Sequence, residues 1–232
     1  MMASLHALKA RGQWLFSFGD LLTLLITFFI LMLVLNKGEI TRLQKWSDQQ
    51  LEQAYQKLES SLDQSWVEIE PSRKGILLAV QPGEAFVRGG YEPTDALQNQ
   101  LNRLAQELKT LDLFHPRRIQ LPQGALEAAQ QNGLSWQAAI RVAGHTDDLA
   151  VNPESPLRNN WFLSAMRAQT VMRQLSEQSG LAAEYFVVSG FGAHRPKVPN
   201  DTPQNRAQNR RVVIYLSAAF EKRPGYPVLP SP

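Results

Sequence analysis

The chain has 232 residues, 44% of them hydrophobic, with 24 Lys and Arg against 21 Asp and Glu for a formal net charge of +3. Cysteine is absent, which removes disulfides, zinc-thiolate sites and thiol catalysis. Basic and acidic residues are interspersed, so there is no nucleic-acid footprint. Once one long apolar run and one polar run are set aside, roughly 140 to 150 residues remain, about the size of one domain with its own core.

The amino end, residues 1–13, reads "MMASLHALKARGQ" and carries Lys9 and Arg11 but no acid. Next comes "WLFSFGDLLTLLITFFILMLVL", Trp14 to Leu35, which as a helix is about 33 Å long and crosses a bilayer core. The residues immediately after it, "NKGEITRL", lack a small-x-small cleavage pattern, so the segment is expected to be an uncleaved transmembrane anchor. The positive-inside rule leaves the amino end in the cytoplasm and everything after Leu35 outside, in the periplasm if the host is Gram-negative.

Between Arg11 and Lys37 the only ionisable residue is Asp20. At about 100° per residue, Gln13, Ser17, Thr23 and Thr27 fall within about 60° of it, so the helix has one polar stripe and is otherwise Leu, Ile and Phe. A carboxylate in a span costs about 2.5 to 3.5 kcal/mol on insertion scales and usually faces a bundle interior or a watery path. One reading is an interfacial aspartate near the cytoplasmic side. The other is an ion-binding carboxylate lined by Ser17, Thr23 and Thr27, which takes a cation from one side and releases it to the other. A single span cannot enclose such a path, so the second reading requires a partner with more helices.

Residues 36–74 read as a linker. Ile40, Leu43, Trp46, Leu51, Tyr55, Leu58 and Leu62 recur mostly three or four apart in a Gln-rich background, the pattern of an amphipathic helix, suited to a spacer or a coiled-coil stem. From Gly75 the texture changes. "GILLAVQPGEAFVRGG" reads as strand, turn and short strand, and "TDALQNQLNRLAQELKTL" as a helix with Leu97, Leu101, Leu104 and Leu108 on one face. "QAAIRVAGHTDD" is a buried strand ending in a turn, "WFLSAMRAQTVMRQLSEQSG" a helix closed by Gly180, and "YFVVSGFG" and "RRVVIYLS" are further strands. The expected fold class is α+β: a single amino-terminal transmembrane helix, a helical linker, then an α/β sandwich over 75–217. The stretch between Asp112 and Asn132 is an insertion, and the Pro-rich end, 218–232, is expected to be a disordered tail.

Gly144 and Gly190 suit turns whatever the function. His145 with Asp147 or Asp148 makes only half a metal site, since no further ligands stand at metal spacing. A nucleophile elbow, a His-Glu-x-x-His helix and a phosphate loop are all missing from the sequence, so an enzyme is not expected. On periodicity alone, Arg167 is open to the reading of a surface helix arginine.

Two parts of the chain resemble one family. The short basic amino end, Trp14, "SFGDLLTLLITFFILMLVL" and the Phe28–Phe29 pair resemble the span of the MotB and PomB stator subunits. "VAGHTDD", "NNWFLSAMRAQTVMRQL", "VSGFGAHRP" and "NRAQNRRVVIYL" resemble, in order, the OmpA-like peptidoglycan-binding domain that MotB carries, although Phe162 stands where a Glu is common.

The resemblance implies a peptidoglycan-anchored subunit of an ion-driven motor, in which Asp20 carries a translocated proton or sodium ion and no other cofactor is needed. Its implied partners are a homodimer mate, a multi-span MotA-like subunit in about five copies to two, and peptidoglycan. It places the chain in the bacterial inner membrane with its domain in the periplasm, and makes the stretch just outside the membrane a candidate plug. In the domain it implies that Asp147 takes the ammonium and Arg167 the carboxylate of diaminopimelate in a stem peptide, with Asn160 on the peptide backbone and Thr146, Asn209 and Arg210 lining the same groove. Flagellar rotation and the ZorB subunit of Zorya phage defence both fit this pattern. The alternative is a passive OmpA-like tether between membrane and wall.

Overall fold

A computed structural model describes residues 2–72, 75–80, 85–87, 89–115, 118 and 125–222. The expected span and linker helices are one continuous helix, α1 (Met2–Ser61, 60 residues), with neither Pro nor a turn between them. Within it Trp14–Val34 is long and apolar enough to cross a membrane and is not buried against the rest of the chain.

Further along α1 the side chains turn inward. Leu43, Trp46, Ser47, Leu51, Ala54, Leu58 and Leu62 are buried, most of them three or four apart, and from Leu51 onward they join the hydrophobic core of the domain. The amphipathic pattern therefore reports packing on the chain's own domain. Ile40, also part of that pattern, has its side chain outside the described residues. Trp46 meets Trp136 edge-on at 5.3 Å between ring centroids and Phe220 at 6.0 Å, and the Trp136 Nε1–H donates to the Leu113 carbonyl at 2.9 Å.

Five strands form one sheet in the order β1 (Val67–Ser72), β2 (Gly75–Val80), β5 (Val212–Lys222), β3 (Leu134–Gly144), β4 (Phe186–Gly190). Only the β3–β4 pair is parallel, and helix α4 (Asn160–Ser179) connects those two strands. One face is buried, carrying Ile76, Leu78 and Val80 from β2, Ile140 and Val142 from β3, and Val212, Ile214, Leu216 and Ala218 from β5. It packs on Leu97, Leu101, Leu104, Ala105 and Leu108 of α2 (Asp95–Thr110) and on Ala168, Val171 and Leu175 of α4. The helix stops are local: the Thr94 hydroxyl caps α2, the Asn159 side chain caps α4, and Gly180 ends α4 at φ 67°.

Three expectations shift. The sheet begins in the stretch read as linker, because Val67 and Ile69 face the core while Glu68 and Glu70 alternate outward on an edge strand. It ends inside the expected tail, since β5 runs on to Lys222 and stays paired with β3 through Leu134. The short strand expected in "AFVRGG" is a single bridge, Phe86 to Pro93, closed by the Val87 N–H on the Glu92 carbonyl. Residues 223–232 of the expected tail lie outside the described residues.

In the insertion, a single helical turn (Asp112–Phe114) buries Leu113 and Phe114, and α3 (Ala125–Gln131) lies against α1. Helix α5 (Pro203–Asn209), capped by Thr202, precedes β5.

Candidate functional site

The turn after β3 holds Gly144, His145, Thr146 and Asp147 over the first turns of α4. A Cβ on Gly144 would run into the Ser164 carbonyl, and one on Gly190 would come within 2.7 Å of the Ala165 nitrogen, so both glycines let α4 approach the strand ends. Backbone bonds then fix the turn: His145 N–H to the Arg211 carbonyl, Thr146 N–H to the Gly192 carbonyl, and Phe191 N–H to the Gly144 carbonyl, each 2.9 Å.

Asp147 is buried, at 6% exposure. Its Oδ2 accepts from the Arg210 guanidinium at 2.7 Å, and its Oδ1 accepts from the Leu149 N–H at 3.2 Å. Arg210 is half exposed, so one partner of this pair is free to move and the other is not.

Arg167 projects from α4 into the same charged cluster. Its Nε–H donates to the Gly90 carbonyl at 2.9 Å, and its guanidinium stands 5.1 Å from the centre of the Phe86 ring. The terminal guanidinium nitrogens have no hydrogen-bond partner among the described residues. Burial lowers its pKa, Arg210 adds to that, and Asp147 opposes both, which places the two arginines and the one carboxylate within electrostatic reach of each other. Two cations around one anion, with guanidinium donors unused, suit a ligand that brings a carboxylate and an ammonium together.

The other expected residues take supporting positions. The Asn160 amide nitrogen donates to the carbonyls of Leu149 (2.8 Å) and Asp147 (3.3 Å) and ties down the turn. Thr146 is 3% exposed, and its hydroxyl has no hydrogen-bond partner among the described residues.

Asn209 departs from the groove-lining role that the family resemblance implies for it. It is fully buried, its Oδ1 accepts from the Lys197 and Val198 N–H groups, and its Nδ2 donates to the Val198 carbonyl and the Asn200 side chain. It shapes the 197–200 loop from behind.

Asp148 is exposed, and among the described residues no three His, Cys, Asp or Glu side chains cluster to hold a metal. The contacts of Phe86 and Gly90 that position Arg167 were not legible, because the acceptor is a backbone carbonyl 77 positions away in the chain.

On the membrane helix, Asp20 and Ser17 are exposed. The Thr23 hydroxyl donates to the Asp20 carbonyl and the Thr27 hydroxyl to the Leu24 carbonyl, both at 2.9 Å, so these polar groups are satisfied on their own helix. Trp14 stacks on Phe18, and Phe28 meets Phe29 edge-on.

Residues 4–62 match the family described as membrane MotB of the proton-channel complex MotA/MotB, and residues 114–210 match the OmpA family. The amino-terminal part of the chain is thus similar to MotB-type membrane subunits, and the later part to OmpA-type domains.

Motility protein B of Bacillus subtilis is 38% identical over 77 residues, which are 33% of this chain and 29% of that relative's length. Among solved structures, a MotB-like protein from Desulfovibrio vulgaris aligns at TM-score 0.56 and 23% identity, covering 79% of this chain and 98% of the other. The cell wall anchor of the T6SS from Pseudomonas aeruginosa aligns at TM-score 0.51 and 25% identity, covering 71% and 96%. These likenesses agree with the mixed sheet, the covering helices and the apolar amino-terminal helix.

Proposed function

We propose that this MotB-like chain is the peptidoglycan-anchored subunit of an ion-driven stator-type motor in the bacterial inner membrane, with its amino end in the cytoplasm and its domain in the periplasm. The observation that carries the motor reading is Asp20: a carboxylate in an apolar helix, on a face that the chain itself leaves uncovered, within the stretch that matches the MotB family. An intramembrane carboxylate is functional by default, and among the described residues no ion pair or side-chain hydrogen bond of Asp20 offsets its insertion cost. Two copies enclosed by about five copies of a multi-span MotA-like partner would cover that face and supply the rest of the ion path past Ser17, Thr23 and Thr27. A proton or sodium ion crossing the potential delivers about 2.3 kcal/mol per 100 mV, and its binding and release at Asp20 would alternate between the two helices. Flagellar rotation and a ZorB-type role in phage defence both use such an engine.

In this reading the groove grips the wall. Arg167 offers its unused nitrogens to the diaminopimelate carboxylate, and Arg210 swings off Asp147 so that the substrate ammonium takes its place. Thr146, Asn160 and Asn209 hold the shape of the groove from behind its charged groups.

A passive tether between membrane and wall is the second reading, favoured by the likeness to the type VI secretion wall anchor. Native mass spectrometry of the protein taken from its own membranes in mild detergent separates the two. The motor reading expects two copies with about five of a multi-span partner, and expects Asp20→Asn to keep that assembly while abolishing output. A lone monomer or dimer in several detergents, or full output in Asp20→Asn, would leave the tether.

A further inference from the structure

Arg167 is 9% exposed, yet it makes no ion pair among the described residues. What holds it is a short segment just before α2. Its Nε–H is engaged by the Gly90 carbonyl at 2.9 Å, and its guanidinium carbon stands 5.1 Å over the centre of the Phe86 ring, within the range of a cation–π contact. That segment is fixed by its own backbone. Phe86 bridges Pro93, the Val87 N–H donates to the Glu92 carbonyl at 2.9 Å, the Gly90 N–H to the Val87 carbonyl at 2.8 Å, and the Thr94 N–H to the Ala85 carbonyl at 3.0 Å. Gly89 takes φ 73°, which side chains disfavour, although a Cβ there would meet nothing within 4 Å. Phe86 also packs against the hydrophobic core, so its ring has a fixed seat.

We propose that Phe86 and the Gly90 carbonyl are positioning groups that make Arg167 a receptor for a carboxylate and not for a carboxamide. The inference rests on the reading of the groove as a stem-peptide site and narrows it to the free-acid form of the ligand. A guanidinium can offer a carboxylate two parallel N–H bonds from its side, through Nε and one Nη, or from its end, through both Nη atoms. With the single Nε–H engaged by Gly90, the side approach is closed and the end remains. A carboxylate arriving there accepts both bonds. A carboxamide has one acceptor oxygen and turns its own N–H groups toward the fork, which leaves a donor unmet in a site shielded from water. A loose arginine would also have to be ordered by the ligand itself, whereas two contacts within the chain have already set this one.

The test is calorimetric titration of the full chain in detergent micelles with two ligands: a synthetic tripeptide ending in diaminopimelate, and the same peptide with the carboxylate beside its free side-chain ammonium converted to a carboxamide. The wild-type protein is expected to bind the acid at least about tenfold tighter than the amide, the difference between charged and neutral hydrogen bonds. Phe86→Leu keeps an apolar side chain against the core but removes the π face, and should cut that preference about three- to fivefold through weaker binding of the acid. Phe86→Tyr keeps the π face and should retain the preference. Gly89→Ala changes no side chain of the groove and strains only the turn that carries the Gly90 carbonyl, so it should reduce the preference as well. Equal binding of acid and amide by the wild type overturns the positioning role while leaving the groove intact. So does a preference unchanged in Phe86→Leu and Gly89→Ala, including the case in which both ligands weaken equally, as general damage to the fold would produce. Failure of the wild type to bind either ligand overturns the groove reading, and the positioning role with it.

Discussion

His145 sits behind the groove, 6% exposed, stacked on Phe191, with no hydrogen-bond partner for Nδ1 among the described residues. Burial pushes its pKa down from 6.5 to about 4, the Arg211 charge adds to this, and a bond with the Arg195 backbone opposes it. The folded protein therefore keeps a neutral imidazole where the unfolded chain would take a proton. Between pH 6.5 and about 4 the unfolded state binds more protons, so His145 lowers stability as pH falls through that window and has no such effect above it. Thermal melts of the wild type and His145→Gln between about pH 7.5 and 4 should show the wild type losing Tm relative to the variant as pH drops; parallel curves would contradict this. The turn itself was legible, because "GHTDD" pairs a small residue for close approach with polar groups at a strand end. The arrangement around it was not: Asp147 meets Arg210 63 positions later, and nothing in a local window encodes that pairing.

Among the elements, α1 departs most from its sequence reading. Periodicity identified the apolar residues correctly, but periodicity is blind to which surface they meet, and a coiled-coil seam and a docked helix share the same three-and-four spacing. Trp46 decides the matter, seated between Trp136 and Phe220 and only 9% exposed. Trp46→Ala should cost about 3 to 5 kcal/mol of packing, the range for an aromatic truncated in a core. The loss should be local, appearing in hydrogen exchange as weakened protection of residues 43–62 with little change in α4. Unchanged protection there would mean that the Trp46 contacts contribute nothing to docking. The edge strand β1 escaped the sequence reading for a related reason: Glu68 and Glu70 make its sequence look solvated, yet they lie on the open side of the sheet, and Lys197 pairs with Glu68 at 2.9 Å.

At the scale of the whole molecule, the boundary of the folding unit follows from which residues share a core. Leu51, Ala54, Leu58 and Leu62 belong to one hydrophobic cluster with Val67, Leu78, Leu101, Leu108 and Leu216, so the end of α1 is part of the domain. A fragment cut at the boundaries expected from the sequence, 75–217, would lack this helix, the paired edge strand β1 and the end of β5. Ile76 and Leu78 on the buried face of β2 would lose cover, and the outer side of β2 would become an unpaired edge. A fragment of residues 41–222 keeps all of these contacts and omits the apolar span. The longer fragment should be monodisperse and unfold in a single cooperative transition followed by circular dichroism. The shorter one should aggregate or melt without cooperativity. Equal, cooperative folding of the two would mean that the contacts of Leu51 to Leu62 with the sheet contribute no net stability, and that α1 is only a spacer beside the domain.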